Sequence, residues 1–227
     1  IASGHISDSF EDQVHELTAM TGTGVDAVIL ITNRLAKEEE SDEVWLANLQ
    51  ALLDKLPSQV PLGFYECPYP YKRVLSPKVT RWCAESGRFF FLKDTCCDIQ
   101  QIKEKLDICR DSNLKLYNAN TSTLLESLRY GATGYSGVMA NMQCDLYAWL
   151  CAHPQDEKAE ELSQELTICS LIERQLYPVN AKYYLSLEGL SITTECRSKR
   201  AEDLTPTFRT EVEMLRQITK RMADKYL

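Results

Sequence analysis

The sequence predicts an α/β protein in which parallel strands are joined by covering helices. Strand-length apolar runs alternate with segments of helical spacing, six strands in all: one at the first residues, then 25–32, 60–66, 89–93, 114–117 and 133–138. Such alternation requires parallel strands linked by right-handed crossovers. Past His153 the pattern changes, and 157–176, 181–189 and 207–226 read as helices with no strand between them.

Each element has a local cause. The chain opens on Ile1-Ala2-Ser3-Gly4, which looks like part of a strand. Phe10, Val14, Leu17 and Met20 then recur at helical spacing, with Asp8 or Ser9 as cap and Gly22 and Gly24 as stop. Residues 25–32 form a β-branched run. An acidic loop at 37–42 suits the N-terminus of the next helix, 43–56, which turns Trp45, Leu46, Leu49, Leu52 and Leu53 inward. Pro77 sits in the first turn of a helix ending near Ser86, the place where proline is tolerated. Helices 99–110, 122–130 and 144–151 follow the last three strands.

Composition narrows the function classes. A formal charge of -8 leaves no broad basic face for nucleic acid. The longest apolar run, 27–31, is far too short to span a bilayer, so the chain reads as cytoplasmic, with no membrane partner. Nine cysteines are an odd count in a chain that is 44% hydrophobic, and they read as free thiols of a reducing compartment. None forms Cys-x-x-Cys and the three histidines are scattered, so neither a metal site nor a cofactor is expected.

Two α/β architectures compete. An open doubly wound sheet advertises a glycine-rich phosphate loop after a strand, whereas Gly22-Thr23-Gly24 precedes one, which discounts nucleotide binding. A (β/α)₈ barrel gathers reactive groups at the C-terminal strand ends. Asn33, Arg34, Tyr65, Lys93, Asn118 and Ser136 all fall at or just past such ends.

The run Phe89-Phe90-Phe91-Leu92-Lys93 delivers a lysine to the end of an apolar strand, where alternation would turn Phe89, Phe91 and Lys93 to one face. A desolvated amine can attack a carbonyl and form a Schiff base. A strand-end lysine can equally snorkel to water, and this window leaves both readings open. Tyr65, ending the strand before it, has the chemistry to relay protons, or it is a barrel tyrosine with a satisfied hydroxyl. Arg34 suits an anionic substrate or a surface ion pair.

Taken together, Tyr65-x-x-Pro68, Leu92-Lys93-Asp94-Thr95, Leu124-Leu125-x-x-Leu128-x-x-Gly131-Ala132-x-Gly134, Ser136-Gly137-Val138-x-Ala140-Asn141 and Pro178-Val179-Asn180-Ala181-Lys182-Tyr183 resemble the class I aldolase superfamily of dihydrodipicolinate synthase and N-acetylneuraminate lyase. The resemblance covers the whole chain. It implies a (β/α)₈ barrel portion over 1–153 and a C-terminal helical extension over 154–227. It implies Lys93 as the Schiff-base lysine that captures a 2-keto acid such as pyruvate and Tyr65 as proton relay, with Thr95, Ser136, Asn118 and Arg34 as candidate substrate contacts. A homotetramer is implied as well.

The departures shape the expectation. Ile1 aligns with the start of the family's third strand, so the first two βα units are missing from the chain as given, and with them a Gly-Thr-Thr-Gly-Glu loop that cradles the keto-acid carboxylate. Six strands cannot close an eight-stranded barrel, so the natural protein is expected to be longer. Pro70 stands where dihydrodipicolinate synthases have an arginine, Asn33-Arg34 replaces their tyrosine pair, and Thr121-Ser122 replaces the acidic pair of sialic acid lyases. The expected function is a Schiff-base lyase, aldolase or dehydratase acting on a 2-keto acid. The alternatives are a barrel that has lost turnover and serves as a ligand-binding or structural protein, and an unrelated α/β enzyme whose lysine snorkels.

Overall fold

The computed structural model describes residues 1–227. Its elements run in the expected order: α1 (Phe10–Thr21), β1 (Val28–Ile31), α2 (Asp42–Leu53), β2 (Leu62–Tyr65), α3 (Pro77–Glu85), β3 (Phe89–Asp94), α4 (Ile99–Cys109), β4 (Lys115–Asn118), α5 (Leu124–Tyr130), β5 (Gly134–Tyr135) and α6 (Cys144–Ala152). Then come α7 (Ala159–Cys169), α8 (Glu173–Leu176), α9 (Val179–Leu187) and α10 (Pro206–Tyr226). Side-chain oxygens of Ser9, Ser41, Ser76, Asp98 and Thr205 cap α1, α2, α3, α4 and α10 by accepting otherwise orphaned backbone N–H groups.

The strands lie in the sheet in chain order, β1-β2-β3-β4-β5, and the pairs from β1 to β4 are parallel. No strand order reverses, so the sheet is singly wound in the manner of a barrel and lacks the switch point of a doubly wound fold. The sixth expected strand, at the N-terminus, is reduced to a single parallel bridge from Ala2 to Val28. Side chains take over from there. Ser3 Oγ donates to the Ile29 carbonyl at 2.7 Å, and His5 Nδ1 accepts from the Ile31 N–H at 2.9 Å. The expected strand 133–138 shortens to β5, and a 3₁₀ turn at Val138–Asn141 takes its distal part.

The chain packs as two compact units, residues 1–118 with 130–134 and residues 119–129 with 135–227. In the first, Leu30, Phe64, Leu92 and Leu116 share a register level on the helix-covered face, buried with Trp45, Leu49, Val79 and Ile102. Phe64 packs between Trp45 and Phe89, at ring-centroid distances of 5.6 and 4.4 Å. Phe89 therefore does not share a face with Phe91 and Lys93. A bulge opposite Leu62 and Gly63 shifts the register, so that Phe89 pairs with Leu62 while Phe91 pairs with Gly63, and the alternation resumes only from Phe91.

The second unit has its own core, in which Leu124, Leu128, Leu146, Leu150, Leu162, Leu166, Val212 and Leu215 are buried together. A boundary after residue 153, drawn where strand alternation stops, remains a proposal about chain pattern. The packing unit also takes in α5 and α6, whose apolar faces supply part of this core. No helix is long and apolar enough to cross a membrane, and all nine cysteines are free thiols.

Candidate active site

Parallel register sets the site. Ile31, Tyr65, Lys93 and Tyr117 occupy one level across β1 to β4, close to the C-terminal ends of the strands. Lys93 Nζ lies 4.2 Å from the centroid of the Tyr65 ring, within cation–π distance. Below this level Phe91 stacks on Tyr117, with ring centroids 4.6 Å apart. Gly63 makes room for Phe91. A Cβ on Gly63 would stand 2.7 Å from the Phe91 carbonyl oxygen and 2.8 Å from its Cβ, and backbone cannot swing aside.

The next residue on each strand, Thr32, Glu66, Asp94 and Asn118, is polar and essentially buried. Alternation carries these side chains to the opposite face from Tyr65 and Lys93. There Lys105, from the apolar stripe of α4, places Nζ 2.6 Å from Glu66 Oε1 and 2.6 Å from Asp94 Oδ2. Glu66 Oε1 also accepts the Leu75 N–H at 2.9 Å, and Oε2 accepts the Thr95 N–H at 2.8 Å. Asp94 Oδ1 accepts the Cys96 N–H at 3.0 Å. Burial raises the Glu66 pKa, and Lys105 pulls it only part of the way back. For Lys105 burial acts downward, but the two carboxylates outweigh it and raise the ammonium's pKa. Burial, seconded by Asp94, pushes the Cys96 thiol up to about 12, which leaves it protonated and inert.

The remaining candidates from the sequence are scattered more widely. Thr95 donates its hydroxyl proton to the Glu66 carbonyl at 2.6 Å, so its Oγ faces any substrate only as an acceptor. Asn118 is fully buried and in register with Asp94. Arg34 pairs with Asp8 at 2.6 Å, beside an open cleft of about 470 Å³ that Asn33 and Tyr71 also line. Ser136 belongs to the second unit, half-buried just after β5. In that unit Thr121 Oγ1 lies 2.8 Å from the Tyr147 hydroxyl and 3.2 Å from that of Tyr135. Burial pushes the Tyr135 phenol up to about 12, so it stays neutral at physiological pH.

Sequence reasoning passed over Glu66 and Lys105. Lys105 had a signal, since it interrupts the stripe Ile102, Leu106, Cys109 on which a solvated lysine has no place. Asn33 Nδ2 lies 2.9, 2.8 and 2.6 Å from the carbonyl oxygens of Cys67, Tyr69 and Tyr71, holding the loop after Tyr65.

Known proteins share this framework. The model of the dihydrodipicolinate synthetase family matches residues 7–218. Among solved structures, the 4-hydroxy-tetrahydrodipicolinate synthase of Methylacidiphilum fumariolicum SolV superposes with a TM-score of 0.82 at 19% identity, covering 100% of this chain and 74% of that one. The chloride-inhibited dihydrodipicolinate synthase of Acinetobacter baumannii, complexed with pyruvate, gives 0.80 at 20% identity, over 96% and 74% of the two chains. YagE, a prophage protein of the dihydrodipicolinic acid synthase family from E. coli K12, also in complex with pyruvate, gives 0.80 at 16%, over 96% and 73%. At these identities the structures speak for the fold alone. No curated protein matches the chain.

Proposed function

Because the chain belongs to the dihydrodipicolinate synthetase family, we propose that it is a lysine Schiff-base lyase or aldolase acting on a 2-keto acid such as pyruvate. The observation that carries this reading is the juxtaposition of Lys93 and Tyr65 at neighbouring strand ends, with Nζ over the tyrosine ring. In the proposed reaction the neutral amine attacks the keto carbon, the carbinolamine loses water, and the nitrogen becomes an iminium. The iminium is an electron sink, so the adjacent carbon loses a proton, or a C–C bond breaks, without a free carbanion. The Tyr65 ring face suits the cation, and its hydroxyl is the proposed relay for the protons moved in these steps. Thr95, Ser136 and Arg34 are retained as proposed substrate contacts, and Asn118, fully buried on the face opposite Lys93, is not. A homotetramer in the cytoplasm, needing no cofactor, completes the proposal.

Enamine formation has a direct signature. A pyruvate iminium exchanges its methyl protons with solvent, so the protein in D₂O should deuterate pyruvate, as followed by proton NMR, and Lys93→Ala should not. Pyruvate bound by the protein yet never deuterated would favour a ligand-binding role and overturn the lyase reading.

A further inference from the structure

We propose that Glu66, secured by Lys105, is a positioning residue that locks together the two strand ends bearing Tyr65 and Lys93; its effect on rate rests on the Schiff-base reading. Glu66 is the chain neighbour of Tyr65, yet its carboxylate binds the backbone just past Lys93, accepting the Thr95 N–H at 2.8 Å. The Thr95 hydroxyl returns the contact to the Glu66 carbonyl at 2.6 Å, and the Glu66 N–H donates to the Lys93 carbonyl at 3.3 Å. The other oxygen of the same carboxylate accepts the Leu75 N–H and so closes the loop between β2 and α3. Lys105 ties this carboxylate to Asp94, the residue after Lys93.

An apolar layer of similar volume would serve stability at least as well as a buried ion cluster, so the gain here lies in directional bonds. Those bonds reach both residues of the site through their chain neighbours. A reacting group misplaced by about 1 Å costs roughly 10²-fold in rate, which is the scale on which such a lock matters.

Glu66→Gln tests this. It is isosteric and leaves Lys105 paired with Asp94, so the fold is kept. An amide, however, offers its one oxygen to only one of the two backbone donors, Leu75 or Thr95. In the wild type both amides should be protected from hydrogen exchange as strongly as the β2–β3 ladder. In Glu66→Gln at least one should exchange faster by about 10-fold or more while α1 is unchanged. Deuteration of pyruvate should fall about 10²-fold in kcat at unchanged KM, whereas Asp94→Asn, which keeps the Glu66 bonds, should fall far less. Exchange in Glu66→Gln equal to wild type, or faster exchange with an unchanged deuteration rate, would overturn the proposal. Should the wild type deuterate no pyruvate, the Schiff-base reading fails by itself, and the amide exchange alone decides whether Glu66 locks the strand ends.

Discussion

Lys105→Met removes the ammonium that stands 2.6 Å from both Glu66 and Asp94 while keeping most of the stem that packs in α4. Both carboxylates are 0% exposed and cannot turn to water. Stranding buried charge in this way costs about 3–5 kcal/mol, in line with the loss of two charge-assisted hydrogen bonds at about 1.5–3 kcal/mol each. Domains hold only about 5–15 kcal/mol in total, so the variant should be folded but marginal. Urea denaturation at pH 7 should show a midpoint lowered by roughly 1 M or more with an unchanged slope. The deficit should also depend on pH. The Glu66 pKa already lies above its usual 4.5, and without Lys105 it rises further. An acid whose folded pKa is raised favours the folded state below its unfolded value and loses that contribution as pH rises through the folded one. The variant should therefore recover relative to wild type as pH falls from 7 towards about 4.5. A loss below about 1 kcal/mol at pH 7, or one that ignores pH, would mean that Lys105 does not hold the two carboxylates ionised.

Three further outcomes are expected. His5 accepts the Ile31 N–H on Nδ1, so its proton sits on Nε2 facing Gln13 Oε1 at 2.8 Å, and burial lowers its pKa below 6.5. Its contribution to stability should be complete above pH 6.5 and be lost as pH falls through the folded pKa, a dependence that urea midpoints would show in wild type and lose in His5→Gln. Tyr65→Phe keeps the ring under Lys93 and removes the hydroxyl. It should still form a trapped pyruvate adduct, yet deuterate pyruvate about 10²–10⁴-fold more slowly by NMR. Gly63→Ala forces a Cβ against the Phe91 backbone and should lower stability by about 1–3 kcal/mol in thermal melts.

The legible part of this molecule was local in origin. Ser9 and Pro77 mark helix starts because the first-turn donors need partners close in sequence. The pairing of Tyr65 with Lys93 could be anticipated because both end strands that a βα unit makes neighbours. What sequence could not supply depends on a second segment. The turn of Phe89 to the helix-covered face needs the bulge against Leu62, which exists only in the paired sheet. The N-terminal strand dwindles to a bridge because the side chains of Ser3 and His5, rather than backbone, meet the edge of β1. Thr95 could be named as a candidate contact, but its bonds to Glu66 could not be read, since they span 29 residues of chain. Glu66 itself was hidden by sitting beside Tyr65, where an acid reads as solvated until Lys105 is brought up against it from α4.

If Lys93 is the Schiff-base nucleophile, pyruvate can be captured on it covalently. The full-length protein is incubated with pyruvate and borohydride, digested with trypsin and mapped by mass spectrometry. A reduced adduct on Lys93 blocks cleavage there, so a modified peptide running from Phe89 through Lys103 is expected. Lys93→Ala should give no adduct at all. Unmodified Lys93 after full exposure to pyruvate and borohydride, or an adduct formed equally well in Lys93→Ala, would rule out Lys93 as the nucleophile.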